Sequence, residues 1–308
     1  MKIAVFGSGG VGGTFGARLA QQGHEIHFIA RGAHLAAMRA SGLRVEGVRG
    51  DLHLHPVRAV EDPAEIGPVD FVLFCVKLWD TEAAAPRCRA LLGPDTAVLT
   101  LQNGVDGPDI LSRALGPAHV MAGAAGIFAT IAAPGLIRQP APVQNIMFGE
   151  LDGRISARGR AFEAAMTAAG IDGRFTGETQ TELWKKFVYL SALSGMTCYT
   201  RGPVGPIRDD ARLFAMLRAA IAEAIAVGRA KGVRFDDGVL DERLGVAGRL
   251  APEMKTSMLY DLESGNRLEL PWLSGAVVRM GRALGVPTPT HEAIVAALEP
   301  VAKGKSRA

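Results

Sequence analysis

The chain has 308 residues, of which 48% are apolar and 21% charged, with a formal net charge of +3. That length suits two domains or one large one with ample core, and the composition is that of an ordinary globular protein. So small a charge gives no case for nucleic acid as a partner. No apolar run approaches a membrane span or a signal-peptide core, so neither a membrane nor secretion is expected.

The first residues, Lys2-Ile3-Ala4-Val5-Phe6, read as a short buried strand. They break into Gly7-Ser8-Gly9-Gly10-Val11-Gly12, and a helical pattern follows (Phe15, Leu19) until Gly23 stops it. Strand, glycine turn and helix in this order form the dinucleotide-binding fingerprint. Gly7 allows the tight turn, Gly9 lets backbone approach a pyrophosphate, and Gly12 lets the helix pack close to the strand. The helix N-terminus offers free N–H groups and partial positive charge to the phosphates. Glu25 to Ala30 reads as a second strand ending at Arg31, nineteen residues after Gly12. An acid there would accept from the adenosine ribose 2′-hydroxyl, whereas an arginine pairs with a 2′-phosphate. The expected cofactor is therefore NADP(H) rather than NAD(H), the bland reading of Arg31 being an exposed loop residue.

A helix follows around His34 to Arg39, and then a hairpin of Leu43–Val45 and Leu52–His55 turning at Gly50-Asp51. His53 and His55 share one face of that strand and read as solvated. The seven histidines form no ligand cluster, and Cys75, Cys88 and Cys198 read as reduced thiols of a cytoplasmic protein, so no metal is expected. Phe71–Val76 and Ala97–Leu101 are unbroken apolar runs, as expected of parallel strands covered on both faces. They end at Lys77 and at Gln102-Asn103-Gly104. Ligands in open α/β sheets sit beyond the carboxyl ends of the strands, where Arg31, Lys77 and Asn103 all fall. Short segments over 120–148 read as additional, antiparallel strands completing the same sheet. A helix over about 155–169 and a strand near 173–175 close the first domain. Thr179-x-x-Glu182 is a capping box that opens a helical half. Further helices are expected at about 208–231, 237–250, 252–262, 272–284 and 290–302, with Gly232 and Gly285 as stops and Pro271 and Pro289 as starts. Residues 303–308 read as a frayed basic tail. The fold class is thus α/β: a Rossmann-type doubly wound sheet domain over 1–177, followed by an all-α domain over 178–308 for substrate and dimerisation.

Several pieces together resemble the ketopantoate reductase family: Gly7-Ser8-Gly9-Gly10-Val11-Gly12, Ala30-Arg31-Gly32, Val76-Lys77, Leu101-Gln102-Asn103-Gly104, Leu183-Trp184-Lys185-Lys186-Phe187 and Ser257-Met258-Leu259-Tyr260-Asp261, with Glu269 twelve residues after Ser257. The likeness runs nearly end to end in the right order and spacing. It implies NADPH-dependent reduction of a 2-oxo acid, with 2-dehydropantoate the leading substrate. Lys186 resembles the family's catalytic lysine, which protonates the carbonyl oxygen as hydride arrives, and Glu269 the acid that neighbours it and orients substrate. Ser257 resembles a residue holding the substrate carboxylate. Asn103 and Lys77 resemble residues flanking nicotinamide and substrate, Arg31 the 2′-phosphate ligand, and Gly7, Gly9, Gly10 and Gly12 the phosphate cradle. The proposition is that hydride crosses an interdomain crevice to a carbonyl within reach of Lys186.

The chain also departs from the family. Four and eight residues after Lys186, where well-studied members carry substrate-binding asparagines, it has Leu190 and Ser194, so that Ser194 is the substrate-binding group left on that face. Leu190 would leave a substrate hydroxyl unpaired at about 1–3 kcal/mol. Leu268-Glu269-Leu270-Pro271 is likewise less polar than the family's run. A paralogue reducing a more apolar 2-oxo acid is the second reading. A protein that binds or senses NADPH without turnover is the third, which retention of both Lys186 and Glu269 opposes. The helical half could supply a homodimer interface.

Overall fold

The computed structural model describes residues 1–305. These divide into two compact units: residues 1–102 with 106–179, and residues 103–105 with those from Gln180 onward.

The first unit begins with β1 (Lys2–Phe6), α1 (Gly10–Gln21), β2 (Glu25–Ile29) and α2 (Gly32–Ser41). Next come β3 (Leu43–Gly47), β4 (Leu52–Leu54), β5 (Arg58–Val60), β6 (Phe71–Phe74), the single turn α3 (Thr81–Ala84), β7 (Ala97–Thr100) and α4 (Gly107–Leu115). It closes with β8 (Val120–Ile127), β9 (Thr130–Ala133), β10 (Leu136–Gln139), β11 (Gln144–Glu150), α5 (Ala157–Ala168) and β12 (Asp172–Phe175). An eight-stranded sheet runs in the order β12-β11-β8-β7-β6-β1-β2-β5. Alternation along each strand sorts its side chains to two faces. Ile3, Val5, Phe71, Leu73 and Leu99 pack on one side with Phe15, Leu19, Phe162 and Met166 of α1 and α5. Ala4, Phe6, Val72, Phe74 and Val98 pack on the other with Cys88, Leu91, Leu111 and Leu115. Apolar residues at every position of β6 and β7 are what burial on both faces demands.

One expectation for this unit, that the segments over 120–148 add antiparallel strands to the same sheet, is corrected. The segments over 120–148 do not all extend the main sheet. β8 joins it parallel to β7, and β11 pairs antiparallel with β8. β9 and β10 instead build a second, four-stranded sheet of order β4-β3-β10-β9, with β10 parallel to β3. The hairpin expected at Gly50-Asp51 is present, with β3 antiparallel to β4 and Gly50 at φ 91°. It seats on Ile137 of β10, a partner some ninety residues away.

The second unit is helical: α6 (Thr179–Thr200), α7 (Val204–Asp209), α8 (Ala211–Ala230), α9 (Val239–Gly248), α10 (Ser257–Glu263), α11 (Ser274–Leu284) and α12 (Pro289–Leu298). α6 starts where the capping box placed it; the Thr179 hydroxyl donates to the Thr176 carbonyl, and Glu182 pairs with Lys185. With Trp184, Phe187, Val188, Ala192, Leu193 and Met196 all buried, α6 is the central helix of this core. The single helix expected over 208–231 is two. Asp210 adopts extended backbone between them and its carboxylate accepts from the N–H groups of Arg212 and Leu213, capping α8. The proline at 271 lies in a 3-10 turn, and α11 begins three residues later. Residues 303–305 are not a frayed tail: the Gly304 N–H donates to Val301 and the Lys305 N–H to the Gly265 carbonyl. The remainder of that expected tail lies outside the described residues. Among the described residues no helix is long and apolar enough to cross a membrane.

Candidate active site

The first unit carries the glycine cradle. β1 lies between β2 and β6 in parallel register, so its carboxyl end opens between the ends of two neighbours. Gly7 turns the chain there at φ 100°, a conformation that favours glycine, and any Cβ would meet the Val76 nitrogen at 2.7 Å. Its N–H and that of Ser8 both donate to the Ile29 carbonyl, tying the turn to β2. A Cβ on Gly12 would lie 2.4 Å from the Gly7 oxygen, and one on Gly10 2.0 Å from the Ala129 oxygen. Gly9 differs, because a Cβ built on it meets nothing within 4 Å. Three glycines are therefore required by the fold, and the fourth faces open space at the start of α1, where N–H groups and the helix dipole favour an anion. The cradle fits a dinucleotide pyrophosphate.

This separation gives a test. Gly9 has extended backbone that alanine adopts freely. Gly9→Ala should leave stability within about 0.5 kcal/mol and weaken dinucleotide affinity about tenfold or more, as a methyl blocks the phosphate approach. Gly12→Ala should instead cost about 1–3 kcal/mol of stability through overpacking. Thermal melts and cofactor fluorescence titrations on both variants read the two effects.

Arg31 stands two residues after β2 as the N-cap residue of α2, its side chain 77% exposed, and its Nη2 donates to Asp80 Oδ2 at 2.8 Å. Asp80 was not legible as a site residue, because nothing in local spacing announces a partner 49 residues away. Lys77 is exposed after β6, with its Nζ 5.4 Å from the centre of the Trp79 ring. Gln102, also missed, is buried at the end of β7; its amide donates to the Val76 carbonyl and to the Thr81 hydroxyl, locking the Lys77 turn to that strand end.

The second unit carries a chain of three polar side chains. Asn103 stands in the three-residue segment that belongs to this unit. Its Oδ1 accepts from Lys186 Nζ at 3.2 Å, and its Nδ2 donates to Glu269 Oε2 at 3.0 Å. Glu269 is 7% exposed, held by the 3-10 turn over Leu270–Trp272. Burial brings the Lys186 ammonium down to about 8, while the Glu269 carboxylate opposes the fall. A lysine so tuned is a competent proton donor near neutral pH. The thiols of Cys75, Cys88 and Cys198 are all pushed up to about 12 by burial, which leaves no thiolate nucleophile among them.

Leu190 and Ser194 follow Lys186 on one face of α6. Leu190 is half-buried against the helical core. Ser194 is 1% exposed, and its hydroxyl finds no hydrogen-bond partner among the described residues. Ser257 is exposed in the first turn of α10, next to Thr256, whose hydroxyl bonds Thr197 of α6 at 2.8 Å and accepts from the Leu259 N–H. The expected residues thus fall into three groups. Lys186 and Glu269 each bond Asn103, the glycines and Arg31 surround the carboxyl end of β1, and Ser194 and Ser257 stand on α6 and α10.

The family model described as ketopantoate reductase PanE/ApbA matches residues 3–153, and its C-terminal counterpart matches residues 178–302. A 2-dehydropantoate 2-reductase of Mesorhizobium japonicum is 34% identical over 318 aligned residues that span 96% of each chain. The crystal structure of a PanE/ApbA family ketopantoate reductase from Ralstonia eutropha JMP134 superposes with a TM-score of 0.89 at 32% identity, covering 98% of each chain. That of the 2-dehydropantoate 2-reductase from Geobacter metallireducens GS-15 gives 0.90 at 29% identity, covering 97% of this chain and 99% of the other.

Proposed function

Since the chain belongs to the ketopantoate reductase PanE/ApbA family, we propose that it is an NADPH-dependent 2-oxo acid reductase that converts 2-dehydropantoate to pantoate. The single observation that carries this reading is the contact chain Lys186–Asn103–Glu269, in which a cation of lowered pKa is held by an amide that a buried carboxylate fixes. A mere NADPH-holding protein needs no such group.

Gly9 and the start of α1 would hold the pyrophosphate, and Arg31 the 2′-phosphate. NADPH, when bound, would supply hydride to the carbonyl carbon. The Lys186 ammonium gives the proton to the carbonyl oxygen and stabilises negative charge that develops there, then regains a proton from solvent. With a pKa of about 8 it is mostly protonated at pH 7. Asn103 fixes the ammonium, because its amide can face Lys186 with oxygen only while its nitrogen faces Glu269. The Glu269 carboxylate limits the fall in the pKa of Lys186. Ser257 would serve the substrate carboxylate. Reduction followed by loss of NADPH absorbance on 2-dehydropantoate tests the proposal, and binding of NADPH without reduction of any 2-oxo acid would refute it.

Leu190 favours a second reading within the same chemistry, a paralogue for a more apolar 2-oxo acid, since an apolar side chain stands one turn beyond the lysine. An unpaired substrate hydroxyl costs about 1–3 kcal/mol, or roughly 5–150-fold in kcat/KM. On that basis Leu190→Asn should raise kcat/KM for 2-dehydropantoate about fivefold or more and lower it for the analogue lacking the 4-hydroxyl. If the wild type already prefers the hydroxylated acid and the variant gains nothing, Leu190 does not shape the pocket.

A further inference from the structure

Arg31 follows β2, and Asp80 ends the 3-10 turn that follows β6. These two strands flank β1, whose end opens into the glycine turn. The Arg31–Asp80 ion pair therefore runs from one side of the cradle to the other. We propose that Asp80 sets cofactor preference by competing with the 2′-phosphate of NADPH for Arg31. The proposal rests on the reading of Arg31 as the 2′-phosphate ligand.

The charges dictate the direction. A 2′-phosphate can take the Arg31 guanidinium only by displacing the Asp80 carboxylate or by standing beside it, and two anions on one cation repel. A ribose with a free 2′-hydroxyl brings no charge and leaves the pair in place. Asp80 therefore weakens NADPH binding while leaving NADH binding nearly unchanged, and it narrows the difference between the two cofactors. The pair is solvated, with side chains 77% and 31% exposed, so each partner can be replaced without unfolding the unit.

The test is the dissociation constants of NADPH and NADH, by fluorescence titration, for the wild type, Asp80→Asn, Arg31→Ala and the double variant. Asp80→Asn should tighten NADPH about three- to fivefold, as expected of an exposed charge pair, and move NADH by less than twofold. In the Arg31→Ala background the same substitution should leave NADPH affinity unchanged. NADPH affinity that is unchanged or weaker in Asp80→Asn overturns the proposal, as does equal tightening of NADH or an effect that survives without Arg31. Should Arg31→Ala alone leave the NADPH-to-NADH ratio of the wild type intact, the 2′-phosphate reading fails along with it. A ratio that falls in Arg31→Ala while Asp80→Asn is silent overturns the role of Asp80 only.

Discussion

Replacing Lys186 with alanine is expected to lower kcat for 2-oxo acid reduction by about 10²–10⁴-fold, the range for loss of a positioned general acid, with NADPH affinity nearly unchanged. The glycine cradle and Arg31 belong to the first unit, whereas Lys186 belongs to the second, so cofactor contacts should survive. The pH profile gives an independent reading. Burial lowers the Lys186 pKa to about 8, and the acid form is the one the reaction uses. Wild-type reduction should therefore hold level from neutral pH to about 8 and fall above it, and that alkaline limb should vanish in the alanine variant. A limb that stays in place without the lysine would assign it to some other group, and an unchanged kcat would end the catalytic role of Lys186.

How much of this was legible in the sequence depended on the range of each interaction. β1, the glycine turn and α1 are local, and Gly7, Gly9 and Gly12 could each be given a task from the motif alone, whereas the approach of Gly10 to the Ala129 carbonyl could not. β6 and β7 announced themselves as unbroken apolar runs because both faces are covered. The second sheet did not, since β10 pairs with β3 and the partners of a four-residue strand leave no local mark. The break before α8 hung on one aspartate, Asp210, whose capping role competes with an otherwise continuous helical pattern. In the site, Lys186 and Glu269 could be picked out through family spacing. That Asn103 touches both follows only from a fold that sets residue 103 among helices beginning at 180. Arg31 was readable as a phosphate ligand by its distance from the glycines, and its partner Asp80 was not.

The charge on Glu269 can be separated from its geometry with Glu269→Gln. The amide oxygen still accepts from Asn103, so the contact chain to Lys186 is preserved, but the negative charge that raises the Lys186 pKa is gone. The sign follows directly. Without that carboxylate, burial acts on the ammonium less opposed, its pKa falls below about 8, and the alkaline limb of the reduction rate moves to lower pH. At pH 8 the variant should lose about tenfold in kcat, because less of the acid form remains. The loss should shrink as pH falls and the lysine regains its proton. Measuring kcat against pH for both proteins distinguishes this from a purely positional role, in which kcat would drop by one factor at every pH and the limb would stay where it was.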